Sequence, residues 1–308
     1  MISFFKKYKK TTDDTFAWKG KSRGGAWGHR FFIFLINKLS VRFAYFFLSF
    51  VVFYFILFAP LATKSIWKYF REIHNYGFLK SIRMLFANYF RFGQVLIDKI
   101  AVRSGQAQKY KFEFENYQAF LDVLNNSKGV ILIGAHVGNW EIGTGFFGEY
   151  AQKINIVMLD AEYQKIKELF EKNLNPIAHK IIPIHENDFS HIYQIKEALE
   201  KGEYVCFQGD RFIKDQSAMP LQFMGKLAKF PYGIFQLANR MEAPVVFYFS
   251  MREKGMKYKF KFIFANNHNK GKSEQNALEL MNFYILTLEN ILKEYPEQWF
   301  NYYDFWNV

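Results

Sequence analysis

From about residue 111 onwards, short apolar runs alternate with stretches of helical periodicity, and this alternation limits the possible folds more than any other feature. "GVILIG" precedes a helical stretch at 140–150, "INIVML" one at 162–173 and "KIIPI" one at 190–200. "YVCFQ", "PVVFYF" and "YKFKFIF" follow, with a last helix over 276–294. The fold expected is α/β: a mixed, mostly parallel sheet flanked by helices. In such sheets ligands bind beyond the carboxyl ends of the strands, so the polar residues that follow each apolar run are the first candidates for chemistry.

Two polar clusters stand at such places. "GAHVGNWEIG", Gly134–Gly143, follows "VILI", and "GDR", Gly209–Arg211, follows "YVCFQ". Two strand ends of one sheet can bring both clusters to one cleft. In the first, His136 and Glu141 form an H-x4-E pair among small residues that let the backbone turn tightly. With a helix starting near Gly138 or Asn139, Glu141 falls in its first turn and reaches back to the imidazole. The carboxylate then fixes the tautomer and leaves the other ring nitrogen to take a proton from a hydroxyl. The alternative is a histidine capping a loop beside a solvated Glu141. No serine or cysteine stands nearby as a nucleophile, so the attacking group of a catalytic reading is a substrate hydroxyl. The single cysteine, Cys206, lies inside "YVCFQ" and reads as a core thiol.

The chain divides into a basic N-terminal region, 1–110, and a domain over 111–308. Residues 43–62, "FAYFFLSFVVFYFILFAPLA", carry no charge. About twenty such residues are enough to cross a hydrocarbon core of about 30 Å or to lie in its interface. The run is too long and too far from the start for a cleavable signal peptide. Lysines and arginines flank both its ends, and residues 64–110 read as amphipathic, basic and aromatic helix, suited to an anionic membrane surface. Half of the 308 residues are hydrophobic, 38 are Phe, and the net charge is +13. That charge calls for a polyanionic partner, an anionic membrane or an acidic carrier protein. Nucleic acid is disfavoured, because the basic residues spread around an apolar membrane-type segment. Without CxxC, HExxH or a phosphate-binding glycine loop, no metal or other cofactor is expected.

"AHVGNWE", "GDR", "FMGKLAKFPYGIFQLANRMEAPVV" and "PEQWFNYYDFW", in that order over about 120–305, resemble the lysophospholipid acyltransferase superfamily in its late lipid A acyltransferase branch. The N-terminal "WKGKSRGGAWGHRFFIFLIN", "VVFYFIL" and "FRFGQVLIDKI" look more like acyltransferases associated with aryl-polyene and flexirubin-type lipids. The resemblance implies an O-acyltransferase at the cytoplasmic face of the inner membrane, with acyl carrier protein as donor and a lipid hydroxyl as acceptor. His136 is then the base and Glu141 its orienting partner. Gly138, Asn139 and Trp140 shape the cleft, and Asp210 and Arg211 bind substrate, with Arg211 suited to an oxyanion or a phosphate. Many members carry an arginine for acceptor phosphate in the stretch that here reads "LDAEYQKIKELFEKNLNPIAHK", with lysines alone. That departure points away from a lipid A precursor and toward another lipid hydroxyl. Two further readings are an esterase or thioesterase using the same pair on water, and a membrane-surface protein without catalysis.

Overall fold

The computed structural model describes residues 25–145, 148–159, 179–185, 188–212, 218–241, 243–265 and 273–306. The sequence opens into α1 (Gly25–Lys38), α2 (Val41–Phe58), α3 (Pro60–Lys68) and, after a π-helical turn at Tyr69–Ile73, the long α4 (Phe78–Ala101). There follow β1 (Lys111–Glu115), α5 (Tyr117–Asn126), β2 (Val130–Gly134), β3 (Ile154–Leu159), β4 (Lys180–Ile184), α6 (Ser190–Glu200) and β5 (Tyr204–Gln208). β6 (Ala218–Phe223) and β7 (Lys226–Pro231) make a separate hairpin. The chain closes with α7 (Tyr232–Met241), β8 (Val245–Glu253), β9 (Lys257–Phe264) and α8 (Glu274–Glu294).

Seven strands form one sheet in the order β1-β9-β8-β2-β5-β3-β4, parallel throughout except where β8 meets β9. Central β2, "VILIG", is buried along its whole length, as a strand covered on both faces must be. Its register with β5 decides the site. Gly134 pairs with Gln208, so the residues that leave the two strands, Ala135–Val137 and Gly209–Arg211, emerge side by side. On the other flank β2 pairs with β8, which runs on to Glu253 and passes beneath Gly138, where Ser250 bridges to it.

The apolar N-terminal run is not one helix. Ser40 caps α2 by accepting the Phe43 N–H at 3.1 Å, and α2 ends at Phe58. Pro60 then occupies the first turn of α3, where its missing N–H leaves no intrahelical bond unmade. One face of α2, Val41, Ala44, Leu48 and Val52, is buried. It packs closely on α4, and a Cβ at Gly93 would lie 2.3 Å from Leu48 Cδ1. The other face leaves Phe43, Phe46, Phe50, Phe53, Leu57 and Phe58 exposed. By length and composition α2 is long and apolar enough to cross a membrane.

The helix expected at 140–150 does not form. Its place is taken by 3-10 turns at Ile142–Gly145 and Gly148–Lys153, because the chain first makes a left-handed turn at Gly138, φ +61°. The helix expected at 162–173 and residues 160–178 of the lysine-only stretch lie outside the described residues, as does the basic start of the chain. The hairpin of β6 and β7, whose turn and second strand fall in the "FMGKLAKFP" block, was not foreseen as strands.

Candidate active site

The two polar clusters meet. The Gly209 N–H donates to the Gly134 carbonyl at 2.9 Å, which continues the β2–β5 ladder one step past the strands and sets Asp210 against His136. The Asp210 carboxylate accepts the His136 backbone N–H at 3.1 and 3.0 Å, and its Oδ1 lies 2.8 Å from His136 Nδ1. Trp299 Nε1 donates to Oδ2 at 3.0 Å. Burial would raise the Asp210 carboxyl, but the His136 imidazole, the Arg211 guanidinium and the Trp299 N–H outweigh it and hold it down at about 2. Asp210 is therefore an acceptor at any working pH. Its partner Nδ1 carries the proton, and Nε2 is left as the basic nitrogen. Asp210 is buried and the His136 side chain is 21% exposed, so the carboxylate is covered while the imidazole is accessible.

The backbone around His136 is held from three sides. The C-terminal segment runs antiparallel to it: the Phe300 N–H donates to the His136 carbonyl at 2.9 Å, and the Gly138 N–H to the Gln298 carbonyl at 2.8 Å. From β8, the Ser250 carbonyl accepts the Asn139 N–H at 2.8 Å. Gly138 is obligatory here on two grounds. Its φ is in the left-handed region, and a Cβ would come within 2.0 Å of the Ser250 carbonyl oxygen. The Trp299 indole is fixed edge-on against Tyr69, Phe223, Phe305 and Trp306, which aims its N–H at Asp210.

The carboxylate on the imidazole Nδ1 is thus Asp210, where the sequence reading expected Glu141. Glu141 Oε1 lies 2.8 Å from Lys99 Nζ of α4, and Lys99 also sits 5.7 Å from the Trp140 ring centroid. The reason is local: without a helix starting at Gly138, residue 141 is carried toward α4. Asn139 also departs from expectation. It is fully buried, and its Nδ2 donates to the Tyr258 hydroxyl at 3.2 Å, so it supports the loop from behind. Trp140 is partly exposed. Arg211 follows Asp210 and donates from Nη2 to the Phe300 carbonyl at 2.7 Å. Cys206 is buried in β5, and burial pushes its thiol up to about 12, which removes it as a nucleophile.

Sequence reasoning missed Gln298, Trp299 and Lys99 as contributors. The "PEQW" block was visible as a motif, but nothing in it says that it lies along the His136 loop.

A family model, bacterial lipid A biosynthesis acyltransferase, matches residues 80–306. The chain belongs to this family. The match takes in α4 from Lys80 onward, the whole seven-stranded sheet and the C-terminal segment, hence His136, Asp210, Arg211 and Trp299. No curated protein matches the chain. As a member of the lipid A acyltransferase family it is an enzyme of lipid biosynthesis that transfers an acyl chain to a lipid-like acceptor.

Proposed function

We propose that this family member moves a fatty acyl chain from acyl carrier protein to a lipid hydroxyl, with His136 as general base and Asp210 as the carboxylate that orients it. The observation that carries this reading is the bond between Asp210 and His136 Nδ1 at the carboxyl ends of two parallel strands. His136 Nε2 removes the acceptor hydroxyl's proton as the oxygen attacks the thioester carbonyl. The C–O bond forms, the C–S bond breaks, and the leaving thiolate takes the proton back from the imidazolium. The cation of Arg211 stabilises the oxyanion of the tetrahedral intermediate. Glu141, paired with Lys99, shapes the cleft wall beside Trp140.

The donor reading rests on charge. A net +13 favours an acidic carrier, and transfer should weaken steeply with added salt. Attachment to the cytoplasmic face of the inner membrane rests on the exposed aromatic face of α2, continued by Leu61, Phe78 and Leu79 and fringed by exposed Lys38, Arg42, Lys64, Lys80 and Arg83. Because the opposite face of α2 packs on α4, the helix lies along the domain and enters the bilayer interface by one side. The acceptor is a hydroxyl of a glycerolipid-like or polyene lipid, since the 159–180 stretch has no arginine for a phosphorylated sugar.

The test is acyl transfer from acyl carrier protein in lipid vesicles, with mass spectrometry of lipids from cells with and without the gene. Loss of one acylated lipid other than lipid A is the expected result. A deletion that removes one chain from lipid A, with all other lipids unchanged, would restore the lipid A precursor as acceptor. Release of free fatty acid without transfer would make the enzyme a thioesterase.

A further inference from the structure

Asp98, near the end of α4, is fully buried, and four side chains converge on it. Tyr45 of α2 and Tyr110 donate to Oδ1, Tyr110 at 2.9 Å. Tyr258 of β9 and Arg252 Nε of β8 donate to Oδ2, Arg252 at 2.8 Å. Arg252 Nη2 also reaches the Tyr45 hydroxyl at 3.2 Å. Burial, and then the charge of Asp98, pushes the Tyr258 phenol well above its usual range. Tyr258 is therefore a donor to Asp98, and its oxygen is left to accept. What it accepts is the Asn139 amide, three residues from the base.

A second route reaches the same loop. Gln298 binds both the N–H and the carbonyl of Arg252, each at 2.8 Å, while its own backbone carbonyl receives the Gly138 N–H at 2.8 Å. A buried ion pair seldom adds net stability over apolar packing, so stability is a poor account of why a carboxylate sits here. Its geometry gives a better one. Asp98 binds side chains from the membrane-facing helix and from strands β8 and β9, and through Tyr258 it reaches the His136 loop. The α2 face against α4 is formed by Ala44, Leu48 and Val52, and Tyr45 adds to it a directional polar bond.

We propose that Asp98 is a positioning residue, a tether through which Tyr45 of the membrane helix and Tyr258 hold the catalytic loop in one geometry. Its catalytic consequence rests on the reading of His136 as the base; the tether itself does not.

The full-length chain in phosphatidylethanolamine–phosphatidylglycerol vesicles is compared with Tyr45→Phe, Tyr258→Phe and Tyr295→Phe by hydrogen exchange at the amides of 137–140. Tyr295→Phe removes a similar tyrosine–carboxylate bond, to Glu253, and leaves every bond to Asp98, Tyr258 and Asn139 in place. Exchange at the loop should quicken about five- to tenfold in Tyr45→Phe and in Tyr258→Phe, as one lost hydrogen bond allows, and stay unchanged in Tyr295→Phe. In the same two variants kcat should fall while KM for the acyl donor stays within about twofold. Unchanged loop exchange in both, or an equal rise in Tyr295→Phe, would overturn the tether. If the wild-type chain transfers no acyl group but the exchange pattern holds, the tether stands and the acyltransfer reading falls.

Discussion

The His136 imidazole and the Asp210 carboxylate are 74 positions apart in the chain and 2.8 Å apart in space. One register, Gly134 opposite Gln208, produces that proximity, and a slip by one residue would turn the two side chains to opposite faces of the sheet. The pair is an outcome of strand pairing and owes nothing to local sequence.

Acid stability should report on this carboxylate. Its folded pKa of about 2 lies below the ordinary 3.8, so the unfolded chain binds the proton more tightly. The stabilisation is complete above the unfolded value and is lost as pH falls from 3.8 toward 2. In urea titrations Asp210→Asn should be less stable than wild type at pH 6, and the gap should narrow below pH 4.

Gly138→Ala should fail for backbone reasons. A left-handed non-glycine residue costs about 1–3 kcal/mol, and the clash with the Ser250 carbonyl adds to it. The expected outcome is a lower urea midpoint together with lost turnover, whereas the surface change Lys64→Ala leaves stability within about 0.5 kcal/mol.

The exposed face of α2 makes a membrane prediction that is separate from folding. Phe50 and Leu57 are 59% and 72% exposed, so a Phe50→Asp, Leu57→Asp chain should fold normally. Its sedimentation with anionic vesicles should drop by about tenfold or more, since two large apolar side chains and added negative charge both oppose binding.

How far the sequence could be read depended on whether a feature was local. "VILIG", "INIVML", "KIIPI" and "YVCFQ" are strands because their apolar runs are short and β-branched, and Ser190–Glu200 is a helix as its periodicity implies. The meeting of His136 and Asp210 was legible because each follows a buried strand and neighbouring strands of one sheet end side by side. The carboxylate on the imidazole Nδ1 was not legible: Glu141 was expected from the H-x4-E spacing and a following helix, whereas Gly138 turns the chain and Asp210 lies there. The roles of Gln298, Trp299 and Asp98 depend on contacts between distant parts of the chain, 46 residues apart for Gln298 and Arg252, 89 for Trp299 and Asp210 and 154 for Asp98 and Arg252, which no spacing rule reaches.

The central claim is that Asp210, not Glu141, orients the base. Single-turnover acyl transfer by folded Asp210→Asn and Glu141→Gln, each measured across pH beside His136→Ala, tests it directly. Loss of the base, or of the carboxylate on its Nδ1, should cost about 10²–10⁴-fold, and loss of Glu141 less than about tenfold. A Glu141→Gln enzyme as slow as His136→Ala, with Asp210→Asn near wild type, would contradict the account.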